Sequence, residues 1–217
     1  MKTITTTTNV YPFSELSEKV KEVVRERFII NNAWDDYALE NVVDDFASIA
    51  LLLGITLSET NGKPSVLYSC TYSQGDGACF EGTWKASDLD LAAIKAYAPI
   101  DTELQQIARD LAQIAEEHPG MRVKVTHDGG RYVHGGSVYF EYSYYDEQGV
   151  ELPDDESLAS VQMVAFTNAR ENLRDLMGWL YSKLLAEQEY QNSDEVVDGQ
   201  LIDSDFFYTE AGKRRDS

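Results

Sequence analysis

Two runs of alternating residues, 66–72 and 78–85, stand on either side of the polar stretch Ser73-Gln74-Gly75-Asp76-Gly77. Alternation with a period of two is what a strand buried on one face requires, and a glycine-flanked turn lets two such strands pair antiparallel. Opposing Cys70 with Phe80 sets Val66 against Trp84 and Tyr72 against Ala78. Val66, Tyr68, Cys70, Tyr72, Phe80 and Trp84 then share one face. In this register Cys79 points away from Cys70, which argues against a disulfide between them.

Helical periodicity surrounds this hairpin. Leu16, Val20, Val23, Val24 and Phe28 are spaced for a helix starting at Ser14 or Ser17. A second helix is predicted over about 34–53, with Leu39, Val42, Val43, Phe46, Ile49, Ala50 and Leu53 as its buried stripe and Gly54 as its stop. Further helices are predicted over 88–97 and 102–118, separated by Pro99, and a long one from about Ser157 to Tyr190. The stripe of that last helix reads Val161, Val164, Ala165, Leu173, Leu176, Met177, Leu180 and Leu184. Residues 121–127, 131–134 and 137–145 read as an antiparallel meander.

The fold class is therefore α+β, with an antiparallel sheet drawn from 55–85 and 121–145 and covered by helices. Residues 1–10 are expected to form a flexible tail, 11–190 a single globular domain, and 191–217 an acidic, partly ordered segment. No apolar run is long enough to cross a membrane, and the threonine-rich start has no apolar signal core. Two cysteines give no disulfide framework. A reducing cytoplasm is the expected setting.

The chain carries 38 acids against 18 bases, a formal charge of −20. Such a surface repels nucleic-acid phosphates and anionic membranes and attracts basic proteins. The basic tip Lys213-Arg214-Arg215 is too small for a nucleic-acid footprint. Asp36, Glu40 and Asp44 recur every four residues, so they stack on one helix face beside Asp45. No Lys or Arg occurs between Arg27 and Lys63 to offset them. A second acidic stretch is the loop 146–156, ending in Asp154, Asp155 and Glu156. These seven residues are the expected partner-binding surface, and the bland alternative is a solvated face.

Gln74, Asp76 and Glu81 are the polar groups of the 73–82 loop and its candidate ligand contacts. The bland alternative is a turn in which Asp76 bonds its own backbone. His127 and His134 flank the Gly129-Gly130 turn and could share a metal with Asp76 or Glu81. No Cys/His cluster or helical spacing singles such a site out, and no metal or other cofactor is expected. Phosphate-binding, zinc-protease and nucleophile-elbow motifs are absent from the sequence.

Four segments carry a family likeness: Tyr11-Pro-Phe-Ser-Glu-Leu-Ser-Glu, Tyr72-Ser-Gln-Gly-Asp-Gly-Ala-Cys-Phe-Glu-Gly82, Gly130-Arg-Tyr-Val-His-Gly-Gly136 and Gln188-Glu-Tyr-Gln-Asn-Ser-Asp-Glu195. Together they resemble a phage and prophage family whose members are often labelled antitoxin of a toxin–antitoxin stability system. The resemblance spans about residues 11–212 and brings no catalytic residues with it. It implies a phage accessory protein in the cytoplasm of a bacterial host cell. With the charge, the expected function is a non-enzymatic inhibitor of a basic host protein, by acidic mimicry of DNA. The target would be a nuclease, a restriction or CRISPR effector, or a toxin. The alternative is an antitoxin-like or small-ligand-binding module centred on the 73–82 loop, and a third is a metal-dependent enzyme. Oligomeric state is left open.

Overall fold

The structure is a computed structural model, and it describes residues 1–3, 7–32, 37–71, 73–153 and 159–215. In chain order the strands are β1 (Tyr11–Pro12), β2 (Ile55–Leu57), β3 (Glu59–Thr60), β4 (Lys63–Pro64), β5 (Val66–Ser69), β6 (Gly77–Phe80), β7 (Gly82–Lys85), β8 (Met121–His127), β9 (Val138–Tyr144), β10 (Phe207–Tyr208) and β11 (Arg214–Arg215). The helices are α1 (Glu18–Asn32), α2 (Tyr37–Leu52), α3 (Leu91–Tyr97), α4 (Thr102–Glu117), α5 (Ala159–Gln191) and α6 (Asp194–Asp203). The fold is α+β, as expected. The chain divides into two compact units, residues 1–39 with 186–217, and residues 40–185. The divisions do not fall at residues 10 and 190, because the C-terminal segment forms α6 and two strands that pack with the N-terminal residues.

In the larger unit a four-stranded antiparallel sheet has the order β2-β7-β8-β9. Register places Ile55, Trp84, Val123 and Tyr142 in one row across all four strands. Trp84 is fully buried and its indole N–H donates to the Leu53 carbonyl at 3.0 Å, so the polar edge of the largest core side chain is satisfied. Tyr142 stacks on Phe166 of α5 with ring centroids 4.6 Å apart. Asp101 caps α4 by accepting from the Leu104 N–H, and the same carboxylate accepts from the Trp179 indole and pairs with Lys183, both on α5. One capping residue thus ties the start of α4 to α5.

Three expectations about strands are corrected. The pairing of residues 66–72 with 78–85 is shifted by four: Val66 opposes Phe80 and Tyr68 opposes Ala78. Because the shift is even, the apolar face is unchanged while the partners differ. Trp84 does not join this hairpin, since β7 leaves it and pairs with β2 and β8. The strands of 55–85 are therefore divided between separate ladders, a point that the sequence leaves open. Finally, residues 131–134 form no strand, and β8 pairs directly with β9. Tyr72, expected opposite Ala78, lies outside the described residues.

Helix expectations need one correction. Leu39, Phe46, Ile49, Ala50 and Leu53 are buried as the periodicity requires, and α2 stops at Leu52, just before Gly54. On α5, however, Val161 and Val164 are 56% and 62% exposed. Their helical phase matches the stripe, but the first turns of α5 have nothing packed over these two side chains among the described residues.

The smaller unit has its own core of Phe13, Leu16, Val24, Val197, Leu201 and Tyr208. β10 pairs with both β1 and β11. Arg25, 9% exposed, donates to both carboxylate oxygens of Asp198 at 2.6 and 2.7 Å and to Glu18 at 3.1 Å. This forked pair between α1 and α6 is the geometry in which arginine outperforms lysine.

The switch of strand partners after Glu81 rests on Gly82. A Cβ there would lie 2.5 Å from the Thr56 carbonyl oxygen, a backbone atom that cannot step aside. Gly82→Ala should destabilise the protein by about 1–3 kcal/mol, the usual cost of overpacking. Urea unfolding followed by Trp fluorescence should show a lower midpoint at unchanged slope.

Candidate functional site

The 73–82 loop is built around Asp76. Its carboxylate accepts hydrogen bonds from Ser69 Oγ at 2.7 Å, Thr71 Oγ1 at 3.0 Å, Ser73 Oγ at 3.1 Å and the Ser73 N–H at 3.0 Å. Partial burial works against the charged form, but the bonds from Ser69, Ser73 and Thr71 outweigh it and hold the carboxyl well below the usual aspartate range. Asp76 is thus a permanent anion whose oxygens are occupied within the loop, which suits a brace better than an acid–base group. This knot also lengthens the turn and explains the four-residue register shift.

Gly75, with φ of 96°, lies against Tyr132, and an added Cβ would overlap that ring. Loop 73–77 and segment 131–136 are thereby pressed together, although they are far apart in sequence. Between them lies a cleft of about 300 Å³ lined by Ser69, Ser73, Gln74, Gly75, Asp76, Arg131 and Tyr132. Gln74 and Asp76 therefore line one cleft. Glu81 does not join them. Its two oxygens accept from Ser65 Oγ at 2.8 Å and from the His127 N–H at 3.0 Å, so it clasps the β5–β6 hairpin to the end of β8.

The histidines are similarly engaged. His127 Nδ1 accepts from the Gly129 N–H, which leaves Nε2 to donate to the Tyr132 carbonyl at 2.8 Å. His134 Nδ1 accepts from the Gly136 N–H, and its ring stacks on Tyr132. Among the described residues no three His, Cys, Asp or Glu side chains are placed to hold a metal ion. Cys70 and Cys79 are buried free thiols. Burial, helped by the charges of Glu81 and Asp128, pushes the Cys79 thiol up to about 12, so it stays protonated and is a poor nucleophile.

The expected ridge on α2 is less bare than the sequence implied. Lys63 arrives from β4 and pairs with Glu40 at 2.7 Å, which raises the lysine's pKa. Asp45 accepts a short hydrogen bond from the Tyr97 hydroxyl on α3, which raises the tyrosine's pKa. Asp44 is exposed beside them. Asp36, Asp154, Asp155 and Glu156 lie outside the described residues. The local absence of bases in sequence was overridden by a hairpin that folds back over the helix.

A different surface emerges between α4 and α5. A groove of about 560 Å³ is walled on the α4 side by Asp110, Gln113, Ile114, Glu117 and the following His118. Its other wall is Ser160, Val161, Val164, Ala165, Asn168 and Asn172 of α5. It holds two carboxylates and no lysine or arginine. At one end the Tyr144 hydroxyl lies 3.3 Å from His118 Nδ1. Burial pushes this tyrosine up to about 12, so its hydroxyl stays protonated beside the imidazole. Sequence reasoning missed this site. Its signal was Val161 and Val164, which were assigned to the core on helical phase alone.

Two substitutions separate scaffold from site. Asp76→Ala should cost about 1 kcal/mol of stability at neutral pH, the net worth of charge-assisted bonds discounted for partial exposure. Because the folded-state pKa lies below the unfolded one, this contribution is present above the ordinary aspartate range and fades as pH falls from there toward the folded value. The stability gap between Asp76→Ala and the native chain should therefore close on acidification. Glu81→Ala strands the His127 N–H and should cost about 1–3 kcal/mol. Both are read by denaturant unfolding across a pH series.

Among the described residues no helix is long and apolar enough to cross a membrane. No curated protein and no solved structure matches the chain. Residues 39–194 match a family described as a domain of unknown function, DUF8835, and the match takes in the whole of the 40–185 unit with its cleft, ridge and groove. The chain therefore belongs to the DUF8835 family.

Proposed function

We propose that this is a non-catalytic binding protein that engages a basic segment of a partner protein through the α4–α5 groove. The observation that carries the reading is the pairing of two exposed valines with two carboxylates, and no lysine or arginine among the described residues, in one groove. Exposed apolar side chains beside unpaired charge of one sign are what a complementary amphipathic helix of the opposite sign would cover. The formal charge of −20 supports the same partner class, because a field of that sign speeds encounter with basic proteins. In sequence, the acids Asp154, Asp155 and Glu156 stand just before Ser160 of the groove.

The likeness of four segments to a phage and prophage family favours a host protein as the partner. A nuclease, a restriction or CRISPR effector, or a toxin presents basic surface of this kind. Inhibition would follow if acids covered a groove that normally holds phosphates. Engagement of Asp76 and Glu81 inside the scaffold favours the groove over the 73–82 loop as the contact surface.

Affinity purification from the bacterial host with the native chain, followed by binding measurements on the retained protein, tests the reading. Asp110→Lys combined with Glu117→Lys should weaken binding about tenfold or more at low salt, and raising salt should weaken native binding steeply. Val164→Asp should weaken it at all salt concentrations. A partner held equally well by all three proteins, with no salt dependence, would overturn the proposal.

A further inference from the structure

The smaller unit contains a cavity of about 430 Å³ whose chemistry is opposite to that of the chain as a whole. Its floor is apolar: Val24 and Phe28 of α1, Leu201 of α6, and Phe206 and Tyr208 near β10. Val24, Leu201 and Tyr208 are buried core residues. Its rim carries Arg27, Lys213 and Arg214, and among the described residues no Asp or Glu lines it. In a chain with 38 acids and 18 bases, three cations at one cavity are a departure from the composition that the fold had to assemble. Arg27 comes from α1 and the other two from the last strand and its approach, so sequence proximity does not explain the grouping.

These cations are held in place differently. Arg27 gives one N–H to the Gly212 carbonyl at 2.9 Å, and a guanidinium has five donors. Arg214 lies over the Phe206 ring at 3.3 Å to the centroid, which fixes its head at the rim. The Lys213 side chain makes no hydrogen bond or ion pair among the described residues. A volume in the range of small-molecule sites, an apolar floor and a few convergent polar groups are the features of a ligand pocket.

We propose that this cavity binds a small amphipathic anion, a single-chain or aromatic carboxylate. The apolar body lies on Val24, Phe28, Leu201 and Tyr208, and the charged head meets Lys213 and Arg27. The site is independent of the α4–α5 groove and of the partner proposed for it. It also gives a role to the basic C-terminal tip, which is too small to hold nucleic acid.

Calorimetric titration of the full-length protein with dodecanoate, kept below its micelle concentration, tests the proposal. Expected is saturable binding at one site per chain, with the largest amide shifts in NMR spectra at Val24, Leu201 and Gly212. Lys213→Glu, an exposed change that leaves the core intact, should weaken binding at least tenfold, and Lys213→Met should fall between. Dodecyltrimethylammonium, with the same tail and the opposite charge, should not bind. Absence of saturable dodecanoate binding, equal binding of the cationic analogue, shifts confined to other residues, or an affinity unchanged in Lys213→Glu would each overturn it. Inorganic phosphate binding as tightly as dodecanoate would also overturn it, because the apolar floor would then contribute nothing.

Discussion

A carboxylate at position 81 accepts one hydrogen bond from the β5–β6 hairpin and another from the end of β8. Much of the larger unit depends on that two-oxygen contact. Between β6 and β7 the chain leaves one ladder and enters another, and a change of sheet exposes backbone groups that neither ladder satisfies. Glu81 meets one of those needs with its side chain, while its own N–H donates to the Ser65 carbonyl. Gly82 follows at once and admits the neighbouring β2 backbone at a distance no side chain would allow. With these two residues in place Trp84 reaches the centre of the four-stranded sheet, and the row Ile55, Trp84, Val123 and Tyr142 can close against α5.

Charge is spent in two ways in this protein. Some acids are structural: Asp76 braces a loop, Asp101 caps α4 and binds α5, and Asp198 locks onto Arg25. Each accepts several donors, which is the condition under which a partly buried carboxylate stabilises a fold. Others, such as Asp110 and Glu117, face solvent along a groove with exposed valines. The distinction is one of donor count rather than of residue type, so it separates scaffold from contact surface where composition alone cannot.

Much of the secondary structure was legible in the sequence because it rests on short-range effects. Pro99 separates α3 from α4, β8 follows from strict alternation, and α2 stops just before Gly54. The face of the hairpin was also legible, since a shift of four residues preserves parity. Its register was not, because the turn closes on a knot of Asp76 with three hydroxyls that no propensity encodes. The candidate sites divide the same way. Gln74 and Asp76 are close in sequence and stay together, whereas Glu81, five positions after Asp76, turns into the sheet junction.

The sequence by itself determined the α+β class, the helix periods, the parity of the strands and the strongly acidic surface, all properties of local pattern and composition. Tertiary structure alone decided which acids are neutralised, which apolar residues are covered and where cations gather. Lys63 reaches Glu40 only after the β3–β4 hairpin folds back, Val161 and Val164 are exposed only because nothing among the described residues packs over them, and Arg27 and Lys213 line one cavity only because α1 and the segment around β11 share a core. Each of these depends on contacts between distant segments, whose energies act through space and leave no periodic trace along the chain.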